Sequence, residues 1–180
     1  MESQKVLDSR KIALLSIFVA LGAVFKIGLA AIPNVEVLTF WIFVITVVYG
    51  LRIGFTVGVL ANFAADLYIG FGPWTPFTSL GFGLVAAIVY LYNKKAGFRS
   101  KRDYLYCGII ATVVFDLFTV ITTTWLILGI PLLTALYMQY GILPPTFYPF
   151  GIVHTVSNAV LFLVLGEKIT EVLKSSFAIF

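Results

Sequence analysis

The sequence predicts an all-α integral membrane protein, a single bundle of six transmembrane helices with both termini in the cytoplasm, and three observations carry that expectation. The first is composition: of 180 residues, 61% are apolar and 11% charged, and the mean hydropathy is +1.04. Soluble domains average roughly half apolar and a quarter charged, so water is not the main solvent of this chain. The second is the division of the chain into apolar runs about as long as a bilayer is thick. The third is that the basic residues between those runs fall on one side.

The runs, read from apolar stretches punctuated by Gly, Pro and charge, are Ile12 to Ala30, Glu36 to Tyr49, Ile53 to Ile69, Pro76 to Tyr92, Tyr104 to Leu128 and Pro149 to Leu165. The second is short for a bilayer and the fifth is long. Short and long spans are accommodated by thinning and by tilt. The whole of 1–180 then forms one membrane domain, with 1–11 a cytoplasmic N-terminal segment and 166–180 a cytoplasmic tail. Glu2, Lys5, Asp8, Arg10 and Lys11 crowd the first eleven residues without a small-residue cleavage site, so the first run is expected to be retained as a span rather than removed as a signal peptide.

Lysine and arginine are enriched in cytoplasmic loops. Lys5, Arg10 and Lys11 precede the first run, Arg52 joins the second to the third, Lys94 to Arg102 joins the fourth to the fifth, and Lys168 and Lys174 follow the sixth. Loops around Pro33, Gly72 and Leu143, on the other side, have no basic residue. The basic loop is therefore read as a topological signal, not as a nucleic-acid surface. On the outer side, 129–149 holds Pro131, Gly141, Pro144, Pro145 and Pro149. Prolines interrupt the helical ladder and Tyr137 and Tyr140 favour the interface, which predicts a short surface helix followed by a kinked, proline-rich loop.

Ionisable groups within spans are costly and mark functional sites. Lys26, Asp66 and His154 are placed in the outer half of the membrane and Asp116 near the middle of the fifth span. Asn62 lies one helical turn before Asp66, and Asn158 one turn after His154. Thr112, Asp116, Thr119 and Thr123 form a further polar stripe. These faces predict a water-accessible pocket opening outward, lined by Asn34, Glu36, Asn62, Asp66, Asp116, His154 and Asn158, with Trp41 and Trp74 as flat stacking surfaces at its mouth. The alternative is internal packing, with Lys26 paired to Asp66, amides clamping helices together and the tryptophans in the interfacial belt.

Small residues make a second pattern. Ala13, Ser16, Ala20 and Ala23 recur at three, four and three on the first span, and Gly54, Gly58 and Asn62 on the third. Such stripes let helices approach closely, either within the bundle or at the surface of another subunit. There is no GxxxxGK[ST] phosphate loop, HExxH, GxSxG or Asp-rich diphosphate motif. One His and one Cys, Cys107, do not suggest a zinc or haem site. The chain is expected to be neither an enzyme nor a holder of a metal or cofactor.

Residues Pro33 to Leu84, with their "YGLRIGFTVGVLANFAADL" and "GPWTPF" segments, resemble the substrate-binding S components of energy-coupling factor (ECF) vitamin transporters. Size, six spans and inside termini extend the resemblance over nearly the whole chain. It implies a membrane-embedded partner complex, a transmembrane coupling subunit with two ATPases, and a small-molecule micronutrient bound from outside. In that family a small-xxx-small motif on the first span meets the coupling subunit, and Ser16 and Ala20 occupy the matching place, Ser16 departing from the more usual alanine. The "GPWTPF" turn most resembles members assigned to cobalamin uptake, which makes cobalamin the leading expectation for the solute. The competing expectation is a self-sufficient proton-coupled carrier in which Asp66, Asp116 and Lys26 relay charge. Against it, the inverted repeats common in such carriers are not found.

Overall fold

The computed structural model describes residues 9–141 and 148–176, and all their regular structure is helical. The helices are α1 (Ser9–Gly28), α2 (Leu38–Tyr49), α3 (Leu51–Ile69), α4 (Thr75–Lys95), α5 (Lys101–Thr119), α6 (Leu132–Tyr140) and α7 (Phe150–Ser176). A π-helical stretch, Val120–Ile127, continues α5 without a break, so Lys101–Ile127 is one apolar rod of 27 residues.

Five helices are long and apolar enough to cross a membrane; the sixth expected span is not among them. Its helix, α2, begins at Leu38 and has 12 residues, about 18 Å at 1.5 Å per residue, against a hydrocarbon core of about 30 Å. Glu36 lies before it, in the connection 29–37. What α2 lacks in length it makes up in burial, for every residue from Leu38 to Thr46 is buried. It packs against α1, α3, α4, α5 and α7, a central apolar peg rather than a peripheral span. At the other end of the chain, α7 runs 11 residues past the Leu165 boundary expected from hydropathy, to Ser176. The last part of the expected tail, 177–180, lies outside the described residues, as do Pro144 and Pro145. The helix α6 occupies the expected surface-helix position.

Local chemistry explains the joints. Gly50, at φ +85°, is the single residue between α2 and α3, and that left-handed conformation is open to glycine at no steric cost. Asp103 starts α5 by accepting from the backbone N–H groups of Ser100 (2.8 Å) and Arg99 (2.9 Å), satisfying donors that the first turn leaves free. The π stretch follows where Thr119 and Thr122 turn their hydroxyls onto the carbonyls of Asp116 and Phe118, a competition that disturbs the regular ladder.

Phe40, Phe43, Phe82, Tyr104, Phe115 and Phe162 dominate the core beside Leu38, Ile42 and Val85. The outer surface is equally apolar: Val24, Leu67, Leu126, Val156 and Val164 are all more than half exposed. An apolar exterior of that extent belongs in lipid. The close approach of α3 to α4 depends on Gly58, where a Cβ would stand 2.8 Å from the carbonyl oxygen of Phe82. That contact is backbone and cannot swing away. Gly58→Ala is therefore expected to lower stability by about 1–3 kcal/mol, read as a fall in Tm of the detergent-purified protein; an unchanged Tm would show that the two helices can separate freely.

Candidate functional site

Polar side chains from five helices gather beneath the connection 29–37 in two groups. In the first, the Lys26 ammonium of α1 is 2.9 Å from Asp66 Oδ1 of α3 and also donates to Asn62 Oδ1. Asn62 is fully buried, and its Nδ2 donates across to Ser79 (2.9 Å) and Thr78 (3.1 Å) of α4. The Lys26 Nζ also lies 5.6 Å from the centre of the Phe82 ring, a cation–π distance. The group ties α1, α3 and α4 together.

The second group joins α5, α7 and the connection. His154 Nδ1 and Asp116 Oδ1 are 2.7 Å apart and both side chains are 2% exposed, with Phe115 edge-on to the imidazole at 5.7 Å. His154 Nε2 faces Glu36 Oε2 at 3.5 Å. Asn158, fully buried, donates to the His154 carbonyl one turn back. Tyr148 OH donates to the Pro33 carbonyl at 2.8 Å, and Ser157 Oγ reaches the Asn34 carbonyl at 3.5 Å. Asn34 itself has φ +58°, a left-handed turn that Asn tolerates better than most side chains.

What sets this region apart is how many buried polar atoms lack a partner. Glu36 Oε1, Thr39 Oγ1, Thr112 Oγ1, Asp116 Oδ2, Thr123 Oγ1, Tyr140 OH, His154 Nε2 and Asn158 Oδ1 make no hydrogen bond among the described residues. Each such group costs about 1–3 kcal/mol, and native interiors satisfy almost all of them. Two cavities flank the same connection. One, about 260 Å³, is lined by Lys26, Pro33, Asn34 and Glu36, and the other, about 230 Å³, by Asn34, Thr124, Met138 and Phe150. Asn34 borders both.

Of the residues expected from sequence, Glu36, Asp116, His154 and Asn158 are brought together, with Asn34 on the adjoining turn. Asn62 and Asp66 belong to the first group, joined to the second by the cavity that Lys26 and Glu36 share. Trp41 is elsewhere. It is 8% exposed, its Nε1 donates to the Phe18 carbonyl at 2.9 Å, and it packs edge-on against Phe18 and Phe25, so it belongs to the interface of α1 with α2. Trp74 stands at the first turn of α4 with its ring against Gly72. The small-residue stripe also divides: Ala13, Ser16 and Ala20 are exposed, whereas Ala23 is buried. Sequence reading passed over Thr78, Ser79 and Thr39, and took Tyr140 for an interfacial residue; the i, i+3, i+4 spacing of Thr75, Thr78 and Ser79 on α4 was the available signal for two of them.

Among the described residues no group of three or more His, Cys, Asp or Glu is arranged to hold a metal ion. The sequence matches, over residues 6–175, the family described as "ECF-type riboflavin transporter, S component". The chain belongs to this family. No curated protein and no solved structure matches it. ECF S components are transporter subunits rather than enzymes, and they work with a membrane coupling subunit and two ATPases while binding a small vitamin. This S component is accordingly a multi-pass protein of the plasma membrane.

The ion pair at Lys26 has a measurable consequence. Removing one partner of a buried pair leaves the other charge uncompensated, at a cost of about 3 kcal/mol or more, whereas replacing both by apolar groups is often close to neutral. Asp66→Leu alone is expected to lower Tm sharply and Lys26→Met/Asp66→Leu to recover most of the loss. Additive losses in the double variant would mean that the pair is not coupled.

Proposed function

We propose that this chain captures riboflavin, or a closely related flavin, from the outer side and releases it inward when docked to its coupling subunit. The single observation that carries the solute site is the set of unpartnered polar atoms beneath the connection 29–37. Three of them, Glu36 Oε1, Asp116 Oδ2 and Asn158 Oδ1, are acceptors, and the hydroxyls of Thr39, Thr112 and Tyr140 can take either role. A solute rich in donors complements that set. Riboflavin has four ribityl hydroxyls and one ring N–H beside two carbonyls, and its flat ring suits a narrow cleft between apolar helices. Cobalamin, the solute expected from the "GPWTPF" turn, is far larger than cavities of about 260 and 230 Å³, and the family description names riboflavin instead. Both considerations favour the flavin.

The membrane arrangement proposed with it keeps both termini inside, because among the described residues every basic residue except Lys26 lies at the end of the bundle that holds Lys11, Arg52 and Lys94. The connection 29–37 and the polar site then face outward. Docking is assigned to the outer face of α1. Only 17% of its spanning window is buried, against 28–44% in the other four long helices, and Ala13, Ser16 and Ala20 lie on the uncovered side. Ser16 can face lipid cheaply, since its hydroxyl already donates to the Ile12 carbonyl at 2.9 Å.

Thermal unfolding of the purified protein with riboflavin, cobalamin, thiamine, pantothenate, folate and biotin tests the solute. A ligand at 100 times its Kd adds about 2.7 kcal/mol to stability, so riboflavin is expected to raise Tm by several degrees and the others not to. A shift with cobalamin alone would return the solute to the corrinoid. Asp116→Asn and Asn158→Ala are expected to weaken binding of riboflavin at least tenfold, about 1.4 kcal/mol, by equilibrium dialysis. Ser16→Trp and Ala20→Trp, by contrast, are expected to leave binding intact while abolishing uptake and co-purification of the coupling subunit. Loss of solute binding in those two variants would instead assign the stripe to internal packing.

A further inference from the structure

A further cavity shares no lining residue with the two beside the polar site. It has a volume of about 310 Å³ and is lined by Lys11, Leu14, Leu15 and Phe18 of α1, Val48 and Tyr49 at the end of α2, and Ile53 at the start of α3. At this end α1 meets α2 through the Phe18 and Tyr49 rings, whose centroids are 5.0 Å apart, and leaves a groove beside them, whereas further along α1 closes onto the bundle: a Cβ on Gly22 would stand 2.9 Å from the Ala61 Cβ. The walls are apolar, and Lys11 is the one charged lining residue, itself exposed. Arg52, also exposed, precedes Ile53 by one residue, so positive charge sits at the open end of an apolar groove.

Two kinds of occupant fit an apolar groove in a membrane protein, a helix of a partner subunit or a lipid chain. The helical repeat separates them. At 100° per residue, Lys11, Leu14, Leu15 and Phe18 centre on one side of α1, and Ala13, Ser16 and Ala20 centre on the opposite side, so a partner seated on the small-residue stripe leaves this groove uncovered. Charge decides the rest, because a lysine at the mouth of an apolar slot matches an anionic headgroup above an acyl chain. We infer that the groove between α1 and the α2–α3 joint binds an anionic phospholipid, with an acyl chain along Leu14, Leu15, Phe18, Val48 and Ile53 and the phosphate against Lys11. The site is independent of which vitamin the protein carries.

Native mass spectrometry of the full chain, purified in detergent and supplied with equal amounts of phosphatidylglycerol and phosphatidylcholine, tests this directly. Phosphatidylglycerol is expected to be retained in preference. Lys11→Gln, an exposed substitution whose Tm is measured alongside, is expected to reduce that retention about fivefold, the weight of one lysine beside an anionic lipid, and to leave phosphatidylcholine unaffected. Leu15→Trp, which fills the groove, is expected to reduce retention of both lipids. Equal retention of the two lipids by the unaltered chain, or undiminished phosphatidylglycerol retention in Lys11→Gln, would overturn the inference. So would a Leu15→Trp variant that keeps its lipid but loses the coupling subunit, since the groove would then belong to the partner.

Discussion

A bilayer supplies no water, so a polar group inside it must find its partner within the protein, and the arrangement of this molecule follows from that. Lys26 is the one basic residue placed within a span, and it can be there because Asp66 and Asn62 stand on the facing side of α3 and take its charge and its hydrogens. Asn62 in turn would be a poor lipid-facing residue, and its amide is spent on Lys26, Ser79 and Thr78. A chain of obligations thus fixes the rotation of three helices about their own axes. The apolar faces left over, at Val24, Leu67 and Val164, are turned to lipid without penalty.

The same constraint explains why α2 can be short. Its backbone is satisfied within the helix, except at the ends, and its side chains from Leu38 to Thr46 are covered on all sides by neighbours, so it need not match the hydrocarbon thickness itself. The connection before it descends toward the interior in consequence. That places Glu36 opposite His154 and holds Pro33 and Asn34 against the start of α7 through Tyr148 and Ser157. With α2 beginning only at Leu38, Glu36 is left to the connection, which carries it to the polar site.

Much of this was legible in the sequence. The i, i+4 pairs Asn62/Asp66 and His154/Asn158 lie one turn apart and are in contact, because a helix turns by a fixed angle and that rule needs no tertiary information. The low hydropathic length of the second run was also visible, although the run was read as beginning at Glu36 when the helix begins at Leu38. Two features were hidden for definite reasons. Trp41 was read as a surface ring, but its Nε1 is consumed by the Phe18 carbonyl 23 residues away, a contact that no local pattern encodes. Ala23 was read as one stripe with Ala13, yet it sits where α1 closes onto the bundle, next to Gly22, whose Cβ would stand 2.9 Å from the Ala61 Cβ. Ser79 escaped notice because serines in membrane helices commonly bond their own backbone; here its hydroxyl accepts from Asn62 instead.

The unpartnered atoms near His154 run against the rule that the Lys26 group obeys. Within one bundle, the first group has nearly every polar atom matched, whereas the second leaves Glu36 Oε1, Asp116 Oδ2, His154 Nε2 and Asn158 Oδ1 without a partner among the described residues, so the difference is not a general looseness of packing. Cavities of comparable size adjoin the second group, and Asn34 borders both of them. In the function proposed above, a solute that brings the missing donors satisfies these acceptors on binding. The fully matched group beside it, anchored at Lys26, keeps α1, α3 and α4 in register while that happens. Rigid support next to unsatisfied acceptors is the arrangement expected of a capture subunit, in which binding strength comes from completing a framework that is already built.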